Sequence, residues 1–319
     1  MKFALDAETK EFAASVDEML RRADVPAAIR AWNDGDTAAG LSVWGKLDEQ
    51  GVFALLADEE SGGMGATVVE GVAIAEVLGR HGVPGPVVES MFVAPALGTP
   101  VADGPVTVAA PPVAPLAAGA DVASSAFHLA ADGTVSAAEL GELERSVDRA
   151  RTLATATAGD SVGSADPVDV VNHGALGTAA VQLGLASAML EMSVEYAKQR
   201  AQFGRPIGEQ QAIKHKAADM AIAIEMARPL LWAGALAIAG NPGAPAAAVR
   251  DVSAAYVACG DAANLARRDA LQIHGAIGYT MEHALGLYLT KSHALRAAWG
   301  SPAYHRGRIL DVIESEGAR

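Results

Sequence analysis

Cysteine is all but missing from this chain: Cys259 is the only one in 319 residues. A single thiol rules out an intrachain disulfide and a cysteine-built zinc site, and points to a reducing compartment, the cytoplasm. The thiol itself reads as a small buried apolar residue rather than a nucleophile. Positive charge is also scarce, with 24 Lys and Arg against 38 Asp and Glu for a formal charge of −14. Nucleic-acid binding needs a basic face to neutralise phosphate, so that class is excluded, and anionic membranes are disfavoured for the same reason. No run approaches the about 18 uninterrupted apolar residues of a membrane span, so none is expected. The opening MKFALDAETKEF meets acidic side chains before an apolar signal-peptide core could form. What the chain does have is 51% apolar residues, enough for two or three folded units with a real core.

Three textures follow one another along the sequence. Residues 1–95 read as a helical N-terminal domain, with apolar positions at helical spacing in Phe12, Val16, Met19 and Leu20 and again in Val68, Val72, Ala75 and Leu78. The glycines Gly62, Gly63 and Gly65 between them lack the dinucleotide-fingerprint spacing and follow the acidic Asp58, Glu59 and Glu60, so they read as a turn. Residues 96–167 are rich in proline, alanine and glycine around the β-like runs PVTVAA and SSAFHLA. This is a truncated segment, either a small sheet or an extended linker.

Residues 168–319 read as a four-helix bundle with a short terminal helix. Leu183, Ser187, Leu190, Val194 and Ala197 form one stripe, and Ile213, Ala217, Met220, Ile224, Ala227 and Leu231 another. Pro229 inside the second pattern predicts a kink or a division. The two helices that carry these stripes are expected to pack antiparallel across the turn at 203–208, and further helices are expected over residues 246–273, 281–299 and 303–314.

That turn is the first candidate site. In QRAQFGRPIGEQQ, Arg200 ends one helix while Gln210 and Gln211 begin the next, so a guanidinium fork, amides and free N–H groups meet at one end of the bundle. Such a set suits a phosphate or diphosphate; the plain alternative is an arginine that caps its own helix. A second stretch, QIHGAIGYTMEH, closes another helix with Gln272 and His274, and its Gly275 and Gly278 permit close backbone approach. His274 alone also reads as a hydrogen-bonded structural histidine.

Together YAKQRAQFGRPIGEQQAIKHKAADM, QIHGAIGYTMEHALGLYLTKSHA and, less specifically, LLADEESGGMGA with GVAIAEVLGRHG resemble the acyl-CoA dehydrogenases. The resemblance covers the first 95 residues or so and everything from about residue 168 onward. It implies a mainly α fold and an FAD-dependent enzyme that removes two hydrogens from the Cα–Cβ bond of an acyl-CoA thioester. In that family an R-x-[TQS]-F-G turn and the following glutamine hold the ADP part of an FAD whose flavin lies in the neighbouring subunit. Those places are taken here by Arg200, Gln202, Phe203 and Gln211, and a Q-I-x-G-G segment is matched by Gln272, His274 and Gly275 with its second glycine replaced by Ala276.

Three departures from the family carry the functional expectation. The strand motif that shields the flavin and thioester in the middle domain is absent, so that half of the pocket is expected to be missing. The glutamate that serves most members as base is replaced by Trp299, and the alternative position, at the start of the first C-terminal helix, holds Gly174 and Ala175. Removal of an α-proton needs a positioned base, and tryptophan is not one. The resemblance thus implies no catalytic residue in this chain, no metal, and the shortened member of a heteromeric actinobacterial enzyme of the steroid- and cholesterol-degrading type. Its partner is then a full-length subunit that binds most of the acyl-CoA, in an α2β2 tetramer. Two alternatives stay open: an FAD-free scaffold of the same fold, or an active dehydrogenase using Glu282, His173, His283, His293 or His305 as an unusual base.

Overall fold

The structure is a computed structural model that describes residues 5–202, 204–240, 245–280 and 282–317. The first helices start where side chains can take up free N–H groups. Asp6 accepts from the Thr9 amide at 2.7 Å before α1 (Ala7–Arg21). Asp24 caps α2 (Val25–Asn33) in the same way, and α3 (Ala38–Glu49) follows. Thr67 and Glu70 form a reciprocal capping box at the head of α4 (Val68–His81), which satisfies two donors at once. The glycines between α3 and α4 lie in a turn, as expected, with Gly62 at φ +86° and Gly65 at φ +64°.

A π-turn over Glu89–Val93 runs into the short α5 (Ala94–Ala96) and leads to the middle segment. There the linker alternative fails. The segment is a five-stranded sheet of β1 (Val106–Ala109), β2 (Ala117–Ala118), β3 (Ser125–Leu129), β4 (Thr134–Arg145) and β5 (Thr152–Ser164) in the order β1-β3-β4-β5-β2. β1 and β3 pair in parallel and the other neighbours are antiparallel. Val106, Val108, Leu129 and Val135 bury the inner edge of this sheet, so it stands on the core rather than trailing from it.

The long helices come next. α6 (Pro167–Gln199) is capped by Asp166, α7 (Gln211–Gly240) follows a small hairpin of β6 (Ala201–Gln202) and β7 (Arg205–Pro206), and α8 (Pro245–His274) returns. α9 (Leu285–Leu295) is shorter than the expected 281–299 helix, and Met281 lies outside the described residues. α10 (Pro302–Gly317) closes the chain. α4 crosses α6 with backbones almost touching: a Cβ on Gly184 would sit 2.0 Å from the Glu76 carbonyl, and one on Gly79 2.2 Å from that of Val181. Glycine is required on both sides of that crossing.

Pro229 does not divide α7, which runs through it unbroken. A proline inside a helix costs about 3 kcal/mol, but Ala227 and Leu231 on either side are buried and Arg228 is ion-paired to Glu76 of α4. Tertiary packing holds what local propensity opposes. By length and composition α6 and α7 are each apolar enough to cross a membrane; the most apolar window of α6 is 78% buried in the bundle, while that of α7 is only 28% buried. The excess on α7 is a stripe of Ile222, Met226 and Leu230, exposed at 61%, 70% and 40%.

Candidate functional site

One end of the bundle gathers the end of α6, the start of α7 and the end of α8. The Arg200 N–H donates to Tyr196 O at 2.9 Å to close α6, and the Ile207 N–H returns to Arg200 O at 2.8 Å across the hairpin. α7 is tied to α8 by Lys216 and Asp269 at 2.6 Å. The ring of Tyr196, one turn before Arg200, stacks on His274 at 4.5 Å and meets His283 edge-on at 6.2 Å. This aromatic stack puts the two sequence-predicted segments, Arg200–Gln211 and Gln272–Gly275, on one end of the molecule.

On that end Arg200, Gln202, Gln211, Gln272 and Gly275 are exposed. Phe203 lies outside the described residues. The Arg200 guanidinium makes no hydrogen bond or ion pair with the described residues, and the helix-capping alternative finds no contact there. Gly204 and Gly275 have positive φ, and nothing lies within 4 Å of where a Cβ would project. His274 is the exception. It is 4% exposed, its Nδ1 donates to Ala270 O at 2.8 Å, and burial followed by the nearby His283 pushes its pKa down. It supports the end from beneath. The set of exposed guanidinium, amides, helix-start N–H groups and open backbone fits the diphosphate of an FAD.

The second place surrounds Trp299 and Gly174, where the sheet, α6 and the loop before α10 converge. Trp299 is 1% exposed with φ +56°. Its ring lies flat over Gly174, so that a Cβ there would fall 2.3 Å from the indole Cδ2. The two positions singled out from the resemblance, 174 and 299, are therefore in direct contact. Next to it Phe92 fills the space over Gly177. The hollow left between Glu89, Thr178, Val181, Lys291 and Ala298 is only about 20 Å³, too small for an acyl chain.

Glu89, missed at the sequence level, is 6% exposed, and its Oε1 accepts from the Trp299 indole N–H at 3.1 Å. Lys291 is buried nearby, 3.8 Å from Asp148 on the β4–β5 loop, and its burial lowers its pKa against the pull of Asp148. The loop itself is pinned from behind. The Tyr256 hydroxyl lies 2.5 to 3.0 Å from the carbonyls of Arg296, Ala298 and Gly300, with one proton to give among them. His305 donates from Nε2 to Trp299 O at 2.9 Å, stacks on Tyr256 at 4.0 Å, and has its pKa pushed down to about 4 by burial.

The other candidate bases stand elsewhere. His173 donates to Asp169 O of its own helix at 2.9 Å, Glu282 and His293 are exposed, and His283 belongs to the aromatic stack at the bundle end. The middle segment is a sheet without the strand motif, and Leu129, Ala130 and Ala131 at its edge face α10 across a cavity of about 430 Å³.

Comparison with known proteins places the chain in a family. The acyl-CoA dehydrogenase N-terminal domain matches residues 6–102, and the acyl-CoA dehydrogenase C-terminal domain residues 163–314. Acyl-CoA dehydrogenase IpdE2 of Mycolicibacterium smegmatis is 30% identical over 312 residues, covering 92% of this chain and 95% of the relative. The chain belongs to the acyl-CoA dehydrogenase family. In fold it is similar to the ChsE4-ChsE5 complex from Mycobacterium tuberculosis, at a TM-score of 0.83 and 22% identity over 98% of this chain and 99% of that one. A variant of the Tcur3481-Tcur3483 steroid ACAD is similar at a TM-score of 0.79 and 21% identity, over 98% and 99% of the two chains.

Proposed function

We propose that this chain is the base-less subunit of a two-chain, FAD-dependent acyl-CoA dehydrogenase, in an α2β2 arrangement with a full-length subunit. The observation that carries the reading is the Trp299 ring seated on Gly174: it closes both positions for a base while the Arg200 turn stays open. Arg200 and the amides of Gln202, Gln211 and Gln272 hold the diphosphate and adenosine end of the cofactor across the subunit interface. When bound, FAD supplies the hydride acceptor for Cα–Cβ desaturation. The partner supplies the base and the walls around the thioester.

Two further observations support a partner. The apolar stripe Ile222, Met226 and Leu230 on α7 is an exposed apolar face of the kind that a partner covers. Two fold neighbours carry two chain names each, and one of them is described as a steroid enzyme, which supports a bulky, steroid-derived acyl-CoA as the substrate class. The single, buried Cys259 agrees with a cytoplasmic assembly.

The test is co-expression with a full-length acyl-CoA dehydrogenase from the same gene cluster. The pair is expected to copurify yellow and active, and this chain alone to be colourless. A flavin-loaded, active homomer of this chain refutes the proposal. Glu89 is the one observation that favours a second reading, an active chain with an unusual base, because it is a buried carboxylate at the slot itself. Its Oε1 is engaged by Trp299, so that reading requires Trp299 to swing away, and loss of complex activity in Glu89→Gln at unchanged flavin content would support it.

A further inference from the structure

A cavity of about 380 Å³ lies between the end of α2, the β4–β5 loop, the last turns of α8 with the 3-10 turn Gly275–Tyr279 that follows them, and α9. That is within the range that holds small organic ligands. Leu271 and Leu287 give it apolar walls, and the Tyr279 ring in its lining is 77% exposed. Its fixed charges are both positive: Arg149 comes from the β4–β5 loop and Arg267 from α8, and neither Asp nor Glu is among the lining residues. In a chain of formal charge −14, the sign is locally reversed.

Arg267 is held at one arm, where Nη2 donates to Asn264 Oδ1 at 2.9 Å. Its Nε is buried and meets no acceptor among the described residues, and Asn33 Oδ1 on the α2 wall is buried without a donor in the same way. Buried polar atoms are normally paired, so unpaired ones on two walls mark a space for a polar ligand rather than for hydrocarbon. A water would serve Asn33, but it would leave the guanidinium without a counter-charge. Burial, and after it the repulsion of Arg296 and Arg268, lowers the pKa of Arg267, the direction for a cation desolvated among other cations. Arg149 is exposed and has no ion pair among the described residues.

A guanidinium with an uncommitted donor is a receptor for an oxyanion, and charge decides which kind. A single carboxylate leaves one of the two arginines uncompensated, whereas a phosphate monoester carries close to two charges at neutral pH. Bare phosphate fills only a small part of the space. The rest is bounded by leucines and an exposed aromatic face, which suits a flat organic body.

We propose that this cavity binds a phosphate monoester on a compact, flat organic body, with the dianion between Arg267 Nε and Arg149 and the body against Leu271, Leu287 and Tyr279. Leu271 stands about one turn after Arg267 on the same face of α8, and Gln272 points about 100° away around the helix. The cavity is therefore distinct from the Arg200 and Gln272 set, and the inference does not rest on the function proposed for that set.

Calorimetric titration of the full chain at about pH 8, above the second phosphate pKa of about 6, tests the proposal with phenyl phosphate, its singly charged methyl ester and inorganic phosphate. Phenyl phosphate is expected to bind saturably and the other two at least about tenfold more weakly, the size of a lost charge-assisted contact. Arg267→Met should weaken phenyl phosphate by a similar factor. Arg149→Gln, on an exposed loop, should do the same, and it keeps the test decisive if Arg267→Met does not fold. Arg200→Ala should leave the binding unchanged. The proposal is overturned if phenyl phosphate does not bind, if the methyl ester or inorganic phosphate binds as well, or if the Arg267 and Arg149 variants both bind like the parent chain. It is also overturned if Arg200→Ala weakens the binding or coenzyme A displaces the probe, since the phosphate would then belong to the Arg200 turn or to the thioester's own nucleotide.

Discussion

The two regions of interest share one helix and differ in almost every physical respect. Near the start of α6, Gly174 is covered by an indole, Phe92 fills the next gap, and a pinned loop seals the slot. Where α6 ends, Arg200 and its neighbouring amides face solvent, and glycines leave the backbone bare. A core position gains stability by being filled, whereas a ligand site must leave its donors uncommitted. The contrast is between a packed pocket around Trp299 and Gly174 and an end of the bundle whose polar groups face solvent. Interventions at the slot should therefore change stability, and those at the end should change cofactor content.

Trp299→Ala gives the largest expected effect. Emptying a fully buried indole site costs about 3–5 kcal/mol, and Glu89 loses its partner as well. Urea denaturation should show a drop of that size while flavin per complex stays constant in whatever fraction remains folded. Next comes acid. With His305 at about 4 in the folded chain and about 6.5 when unfolded, the unfolded state binds the proton first, so stability is full above pH 6.5 and falls as pH drops toward 4. The loss amounts to about 3 kcal/mol, and the lowered pKa values of His274 and His283 act in the same direction. Denaturation midpoints at pH 7 and pH 4.5 measure it; His305→Gln should remove most of the difference.

The helical frame was legible because burial leaves a period. Met220, Ile224, Ala227 and Leu231 are all buried on α7 as their spacing requires, whereas the Tyr196–His274 stack that joins the ends of α6 and α8 has no signal in either segment alone. The sheet was harder to see. β4 and β5 pair with shifts at Val135/Ser136, Ser136/Ala138 and Leu140/Leu143, and each shift resets the two-residue alternation on which strand reading depends. The slot was legible only in halves. Trp299 and Gly174 were each recognised as lacking a base, but the fact that one fills the other is a contact across 125 residues with no local signature. Glu89 sits in an apolar run, VVESMFV, where nothing in the spacing says that its carboxylate points to an indole 210 residues away.

Gly174→Ala tests the slot more gently. The added methyl must displace the indole, an overpacking cost of about 1–3 kcal/mol, and a urea midpoint that does not move would mean that the ring is not seated there. Arg200→Ala is the smallest change in stability and the sharpest in function. The side chain is exposed and unbonded to the described residues, so the denaturation midpoint should shift by less than about 0.5 kcal/mol. If that guanidinium holds a diphosphate from the neighbouring subunit, the same substitution lowers flavin content of the purified complex by about tenfold or more, the size of a lost charge-assisted contact. A variant that is fully folded and fully yellow would break the contrast at its open end and leave the scaffold reading in its place.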